Sequence, residues 1–235
     1  DADVDSKSGT AENFQLISGS GAIKVDGAMG AVVNLGTIDI NSTDDTNGAT
    51  DGVGTIEIAA IGDGSGSGAS GAVKIGNTET NKITLDGAVY NTDSTQTYTA
   101  KSGNYIEVKP GAGTAMSFIS SNDAIAFKTS GVLLFGDSTH TVDTGTGAGA
   151  VTFDGAIESG DGTQNDDVLV IKSGTGAVTL SGAIGVTEEL GGLKINAGET
   201  ANSSDDKSGT ITIAAAIGGT PGTDAAEPGV IGTVK

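Results

Sequence analysis

The nine residues GAVTFDGAI, from Gly149 to Ile157, return as GAVTLSGAI from Gly176 to Ile184. Recurrence at a fixed spacing of 20 to 50 residues marks a repeat architecture, in which each unit buries its apolar face only against its neighbours. The same spelling, Gly-(Ala/Thr)-(Ile/Val)-x-apolar, opens at Gly21, Gly36, Gly54, Gly71 and Gly209, and Lys82-Ile83-Thr84-Leu85 is a degenerate eighth copy. Starts at 21 and 54 lie 33 apart, as do those at 176 and 209. In each copy apolar residues alternate with Lys, Asp, Glu or Thr, the period of a strand with one buried face. The leading Gly permits a sharp corner, and a following Gly-Ala pair, as in Gly27-Ala28-Met29 and Gly182-Ala183-Ile184, allows a second bend or close backbone approach.

A second family of strand-like runs lies between these copies, including Val168 to Ile171, Leu193 to Ile195 and Asn13 to Ile17. The pattern predicts an all-β fold: a parallel β-helix, or β-solenoid, of about eight coils with two to three short strands per coil and little or no helix. Parallel strands of successive coils lie ~4.8 Å apart, so the rod is about 40 Å long. A single solenoid is expected over residues 1–235. Polar inserts at 41–51, 62–71, 159–167 and 197–208 read as loops leaving the rod. Residues 91–144 hold five of the eight aromatics and read as irregular coils with a bulkier core.

Forty glycines would suit a disordered linker if the apolar residues lacked a pattern, and here they have one. The net charge is −19, and all eleven cations are Lys. Nucleic-acid binding needs clustered cations to displace counterions from phosphate, so nucleic acid and anionic membranes are not expected partners. Without Cys, neither disulfides nor thiolate metal sites form. No stretch reaches the roughly 20 apolar residues of a spanning helix, so membrane insertion is not expected. The chain reads as a mature secreted product or as a segment of something longer.

The run VLVIKSGTGAVTLSGAIGVTEELGGLKINAG, with the order TYTA, GNYIEV and DTGTGAGAVTFDGAI before it, resembles repeats of giant bacterial surface proteins of the filamentous-haemagglutinin and autotransporter-adhesin kind. The likeness spans most of residues 20–220. It implies a long parallel β-solenoid outside the cell, serving as stalk, adhesin or matrix, and it carries over no functional residue.

Few motifs point to chemistry. His140 is the lone imidazole and reads as an ordinary surface strand residue. Gly66 to Gly71 spells G-x-G-x-x-G, but a strand follows where a dinucleotide site needs a helix N-terminus. Acidic loops offer the oxygens that Ca²⁺ requires. Solvated loops are the first reading of them, with Asp44, Asp45, Asp161, Asp166 and Asp167 as the calcium ligands if one binds. No other cofactor is expected. With few aromatics for sugar stacking and no Arg, the chain does not read as an enzyme. Flat threonine arrays of the ice-binding type, hinted at by Thr95, Thr97 and Thr99, need one face repeated on consecutive coils, and most copies carry a charge there.

The expected function is that of an extracellular structural protein whose copies stack head-to-tail into a filament, sheath or stalk. A solenoid exposes unpaired N–H and C=O groups at each end, and stacking satisfies both ends at once. The strand-like Gly229 to Val234 supports this, and the junction is expected at Asn13, Phe14, Leu16, Ile17, Val230, Ile231 and Val234. The alternatives are an adhesin passenger fragment binding a cell-surface or matrix ligand, or an S-layer-like lattice protein.

Overall fold

A computed structural model describes residues 3–42, 54–64, 66, 68–160, 167–196 and 209–218. Among these there is no helix, and every strand pairing is parallel. The chain winds as a β-solenoid with three faces. Face one is an eight-stranded sheet of β1 (Phe14–Leu16), β3 (Ile38–Ile40), β5 (Val73–Ile75), β8 (Gln96–Thr99), β11 (Ile125–Lys128), β14 (Val151–Phe153), β17 (Val178–Leu180) and β19 (Ile211–Ile213). Faces two and three are the arms of a second sheet that meet where β2 (Ile23–Met29) and β4 (Thr55–Ile61) run through the bend. Face two continues through β6 (Lys82–Leu85), β9 (Tyr105–Val108), β12 (Gly131–Leu134) and β15 (Ala156–Ser159). Face three continues through β7 (Val89–Thr92), β10 (Met116–Ser120), β13 (Thr139–Asp143), β16 (Val168–Lys172) and β18 (Gly192–Ile195).

The two nonapeptides lie one directly above the other, with Val151 on Val178, Thr152 on Thr179 and Phe153 on Leu180. The motif does not mark one coil each, however. Copies at 36, 71, 149, 176 and 209 form face one, whereas those at 21, 54 and 82 form face two. The expected count of about eight coils is therefore slightly high. About six turns carry strand on every face. The seventh holds face two only through the Ile157–Ile184 bridge, and the eighth contributes β19 and the Ile184–Ile217 bridge. Gly-Ala-apolar triplets form the corners: after a face-one strand they lead onto face two at Ile157 and Ile184, with Ala215-Ala216-Ile217 in the same place, and after a face-two strand onto face three at Met29 and Val89.

One glycine column shows why Gly opens each strand. Gly149, Gly176 and Gly209 stack at the entry to face one, where a Cβ on Gly176 would collide with the Gly149 carbonyl oxygen and one on Gly209 with the Gly176 carbonyl. Backbone cannot yield as a flexible side chain does, so the coils must part. Gly176→Ala is expected to lower stability by about 1–3 kcal/mol, read as a lower urea midpoint; an unchanged midpoint would contradict this close stacking.

Facing the interior, like stacks on like. Face two stacks Ile23, Ile56, Ile83, Ile106, Val132 and Ile157, all at most 5 % exposed. Residues 91–144 follow the same plan with larger side chains, their strands lying in the same two sheets. Tyr98, Phe127 and Phe153 form one column, with ring centroids 5.3 and 4.6 Å apart and nearly parallel planes. Tyr90 and Phe118 stack at 5.2 Å on face three, and Phe118 meets Phe127 edge-on at 5.1 Å. Burial pushes both phenols well above their ordinary range, so each stays a neutral donor. Tyr90 donates to the Ile58 carbonyl and Tyr98 to Gln96 Oε1. Gln96 occupies an inward position and donates from Nε2 to the carbonyls of Tyr90 and Ile119.

Buried hydroxyls close the corner from face three to face one. Ser120 donates to the Asp123 carbonyl, Thr144 to Gly149 and Ser173 to Gly176. The hydroxyls hold backbone acceptors where the chain leaves one ladder before joining the next.

Candidate functional site

The two ends of the rod are its least satisfied surfaces. At the N-terminal end β1 is the outermost strand of face one. Phe14 donates its N–H to the Thr37 carbonyl, and the Leu16 carbonyl accepts from Asn41 N–H. Alternation along a parallel strand therefore turns the N–H and C=O of Gln15 away from the rod. Phe14 and Leu16 face the interior yet stay half-buried, because among the described residues no face-one strand lies beneath them. Ile17 is 44 % exposed. Asn13, expected at a junction, holds its own rod together, its Oδ1 accepting from Thr37 N–H at 2.9 Å.

On face three the chain reaches one level lower. Val4 bridges Met29, donating its N–H to Ala28 and accepting from Gly30. The N-terminal end is thus a step, with one face of an additional turn present.

At the other end β19 is outermost on face one, and Ile217 bridges Ile184 on face two. Val178 N–H bonds to the Thr210 carbonyl and Ala214 N–H to Leu180. The peptide groups of Ile211 and Ile213 consequently point outward along the rod axis. Ile211 is 40 % and Ile217 37 % exposed, although both occupy columns that are buried in the turns between the two ends. Among the described residues, each end thus pairs an apolar layer with an unpaired strand edge, the arrangement that recruits another strand. Val230, Ile231 and Val234 lie outside the described residues, as do Asp44, Asp45, Asp161 and Asp166.

Asp167 is described, and it is fully buried. Its Oδ1 lies 3.1 Å from His140 Nε2 and 3.4 Å from the Ser138 N–H, and its Oδ2 accepts from Ser159 Oγ at 3.0 Å. Three donors surround this carboxylate. Among the described residues no three His, Cys, Asp or Glu side chains converge as a metal site would require.

His140 corrects the surface reading. It is 1 % exposed and stands in an inward column between Met116 and Leu169. The carboxylate assigns the Nε2 proton, and Nδ1 has no hydrogen-bond partner among the described residues. The signal was present in Thr139-His140-Thr141-Val142, where His140 shares the parity of the core residue Val142. In the order Ser159–Asp167–His140 the acid stands in the middle and bonds to both, whereas a nucleophilic triad places the imidazole there.

The threonines also differ from a continuous array. Thr97 stands between Lys74 and Ala126 on the outer side of face one, while Thr152, Thr179 and Thr212 follow one another.

No protein-family model, curated protein or solved structure matches the chain.

Proposed function

We propose that the chain is an extracellular structural subunit, a β-solenoid that adds head-to-tail to copies of itself to build a filament, sheath or stalk. The observation that carries this is the fit of the two ends. Among the described residues, the last turn supplies faces one and two, through β19 and Ile217, and the segment around Val4 supplies face three of a turn below the first. One end of a copy laid on the other end of the next completes a turn.

The registers agree as well. Continuing the face-one ladder puts Ile211 beneath Phe14 and Ile213 beneath Leu16, so that Gln15 N–H meets the Ile211 carbonyl and Gln15 C=O meets Ile213 N–H. On face three the inward column runs Met29, Ile61, Tyr90, Phe118, Val142, Ile171 and Ile195. Val4 of the next copy extends it by resting on Ile195. A contact of this kind joins unlike surfaces and does not close on itself, so it propagates as a fibre. The repeat-level likeness to bacterial surface solenoids supports the extracellular placement.

Gln15→Pro tests this reading. Proline removes the outward donor while leaving the bonds of Phe14 and Leu16 to β3 in place, and edge strands tolerate it. The variant is expected to keep the β circular-dichroism spectrum and to sediment as a monomer under conditions where the parent forms rods longer than one subunit in negative stain. A parent that sediments as a concentration-independent monomer, or a variant that assembles equally well, would overturn the proposal.

A further inference from the structure

Face two carries a surface that the stacking function does not use. Its outward positions bring Lys82, Thr84 and Asp86 of one turn beside Tyr105, Glu107 and Lys109 of the next. Glu57 from the turn before joins Lys82, Thr84, Asp86, Glu107 and Lys109 in lining a groove, and Tyr105 stands next to it, beside Lys82 in the register. On the adjoining turns two aromatic rings lie against the face. Gly131 lies opposite Tyr105, and a Cβ there would come within 2.5 Å of the ring carbon Cε1. The absent side chain therefore lets the Tyr105 ring rest on the sheet. Phe135 repeats the device over Gly160, its Cζ, Cε1 and Cε2 standing at nearly equal distances from the place a Cβ would take, as a ring lying face-down requires.

Tyr105 is 44 % exposed, whereas Tyr90 and Tyr98 are fully buried. A ring supported beneath by glycine keeps its upper side open to solvent. Such a ring offers the C–H side of a sugar a stacking surface, since its amphipathic body needs no partner of matching charge. Beside it, Glu107 Oε2 accepts from Lys82 Nζ at 3.2 Å and from Thr84 Oγ1 at 3.3 Å. Three carboxylates and two ammonium groups face the same groove, so acceptors and donors for ligand hydroxyls are both present.

Charge selects the ligand class. The net −19 disfavours a polyanion, and in the groove itself three carboxylates and two ammonium groups nearly cancel, with Lys82 already bonded to Glu107, so a polycation finds little net charge there. A ligand rich in hydroxyls and without charge meets neither objection. We infer that face two holds a binding site for an uncharged oligosaccharide, with Tyr105 as its stacking platform and Glu107, Lys82 and Thr84 as its hydroxyl partners. The site lies on the flank of the rod, so stacking of copies leaves it open.

Calorimetric titration of the full chain with cellohexaose, laminarihexaose and mannohexaose tests the inference, with trigalacturonate and hexalysine as charged controls. At least one neutral hexasaccharide is expected to bind saturably and to perturb the NMR resonances of Tyr105. Tyr105→Phe is expected to retain binding. Tyr105→Leu, which keeps apolar cover over Gly131 and loses the ring, is expected to weaken it about tenfold or more, with the circular-dichroism spectrum unchanged. Thr152→Ala, on face one, is expected to bind as the parent does. The inference is overturned if no neutral hexasaccharide binds below about 10 mM, if Tyr105→Leu binds like the parent, or if only a charged control binds.

Discussion

Phe127→Ala is expected to lower the unfolding free energy by about 3–5 kcal/mol, the usual cost of emptying a buried phenylalanine site. Phe127 is 1 % exposed and stands between Tyr98 and Phe153 in the face-one column, at 5.3 and 4.6 Å. It also receives the edge of Phe118 from face three, so its loss opens a cavity at the centre of the aromatic layer. Relaxation is limited because each neighbour is fixed by its own strand pairing. A solenoid couples only adjacent turns, so the lost contacts also weaken the link between the turns on either side. The measurement is urea unfolding followed by circular dichroism. A shift worth less than about 1 kcal/mol would mean that the rings do not form this layer.

Asp167→Ala is expected to be comparably damaging, at about 3–5 kcal/mol, because it removes the buried acceptor shared by His140, Ser159 and Ser138, and each buried donor deprived of its acceptor costs about 1–3 kcal/mol. The substitution strips His140 Nε2 of its acceptor while Nδ1 has no partner among the described residues, leaving the imidazole between Met116 and Leu169 without the hydrogen bond that holds it. It also removes the acceptor to which the Ser159 hydroxyl and the Ser138 N–H donate. Adding His140→Leu should recover most of the loss, because leucine continues an apolar column and removes the stranded polar group. Chemical denaturation of the two single variants and the double variant gives the coupling. Additive effects, or a loss below about 1 kcal/mol for Asp167→Ala, would contradict a buried pair.

Much of the fold can be read from the chain because a solenoid is a local construction: GAVTF and GAVTL predict their own stacking, and Val151 does lie on Val178. Alternation within each copy assigns the buried side, from Ile38 and Ile40 to Val178 and Leu180. What the spelling does not encode is the face to which a copy belongs. A Gly-x-Ile-x-Ile strand makes the same ladder at Ile38 on face one and at Ile56 on face two, so counting copies overstates the complete turns.

The polar interior is legible only in part. His140 carries the parity of a core position, but its acceptor lies 27 residues away, beyond an insert of variable length. The hydroxyls of Ser120, Thr144 and Ser173 fall at strand ends, where sequence alone does not distinguish a corner donor from an exposed residue. Tyr105 draws its meaning from Gly131 in the next turn, a contact that appears only once the register is known. Of the expected junction, Phe14, Leu16 and Ile17 lie at an open end because, among the described residues, β1 has no strand beneath it.

Electron cryomicroscopy of the assembled material tests the structural claim most directly. If coils pile in parallel and the ends interlock as described, β19 of one copy sits one rung below β1 of the next, and each subunit spans eight rungs. The images should then show strands perpendicular to the fibre axis at about 4.8 Å and a subunit repeat near 38 Å. Strands running along the axis, antiparallel pairing, or a subunit repeat unrelated to eight rungs would contradict it.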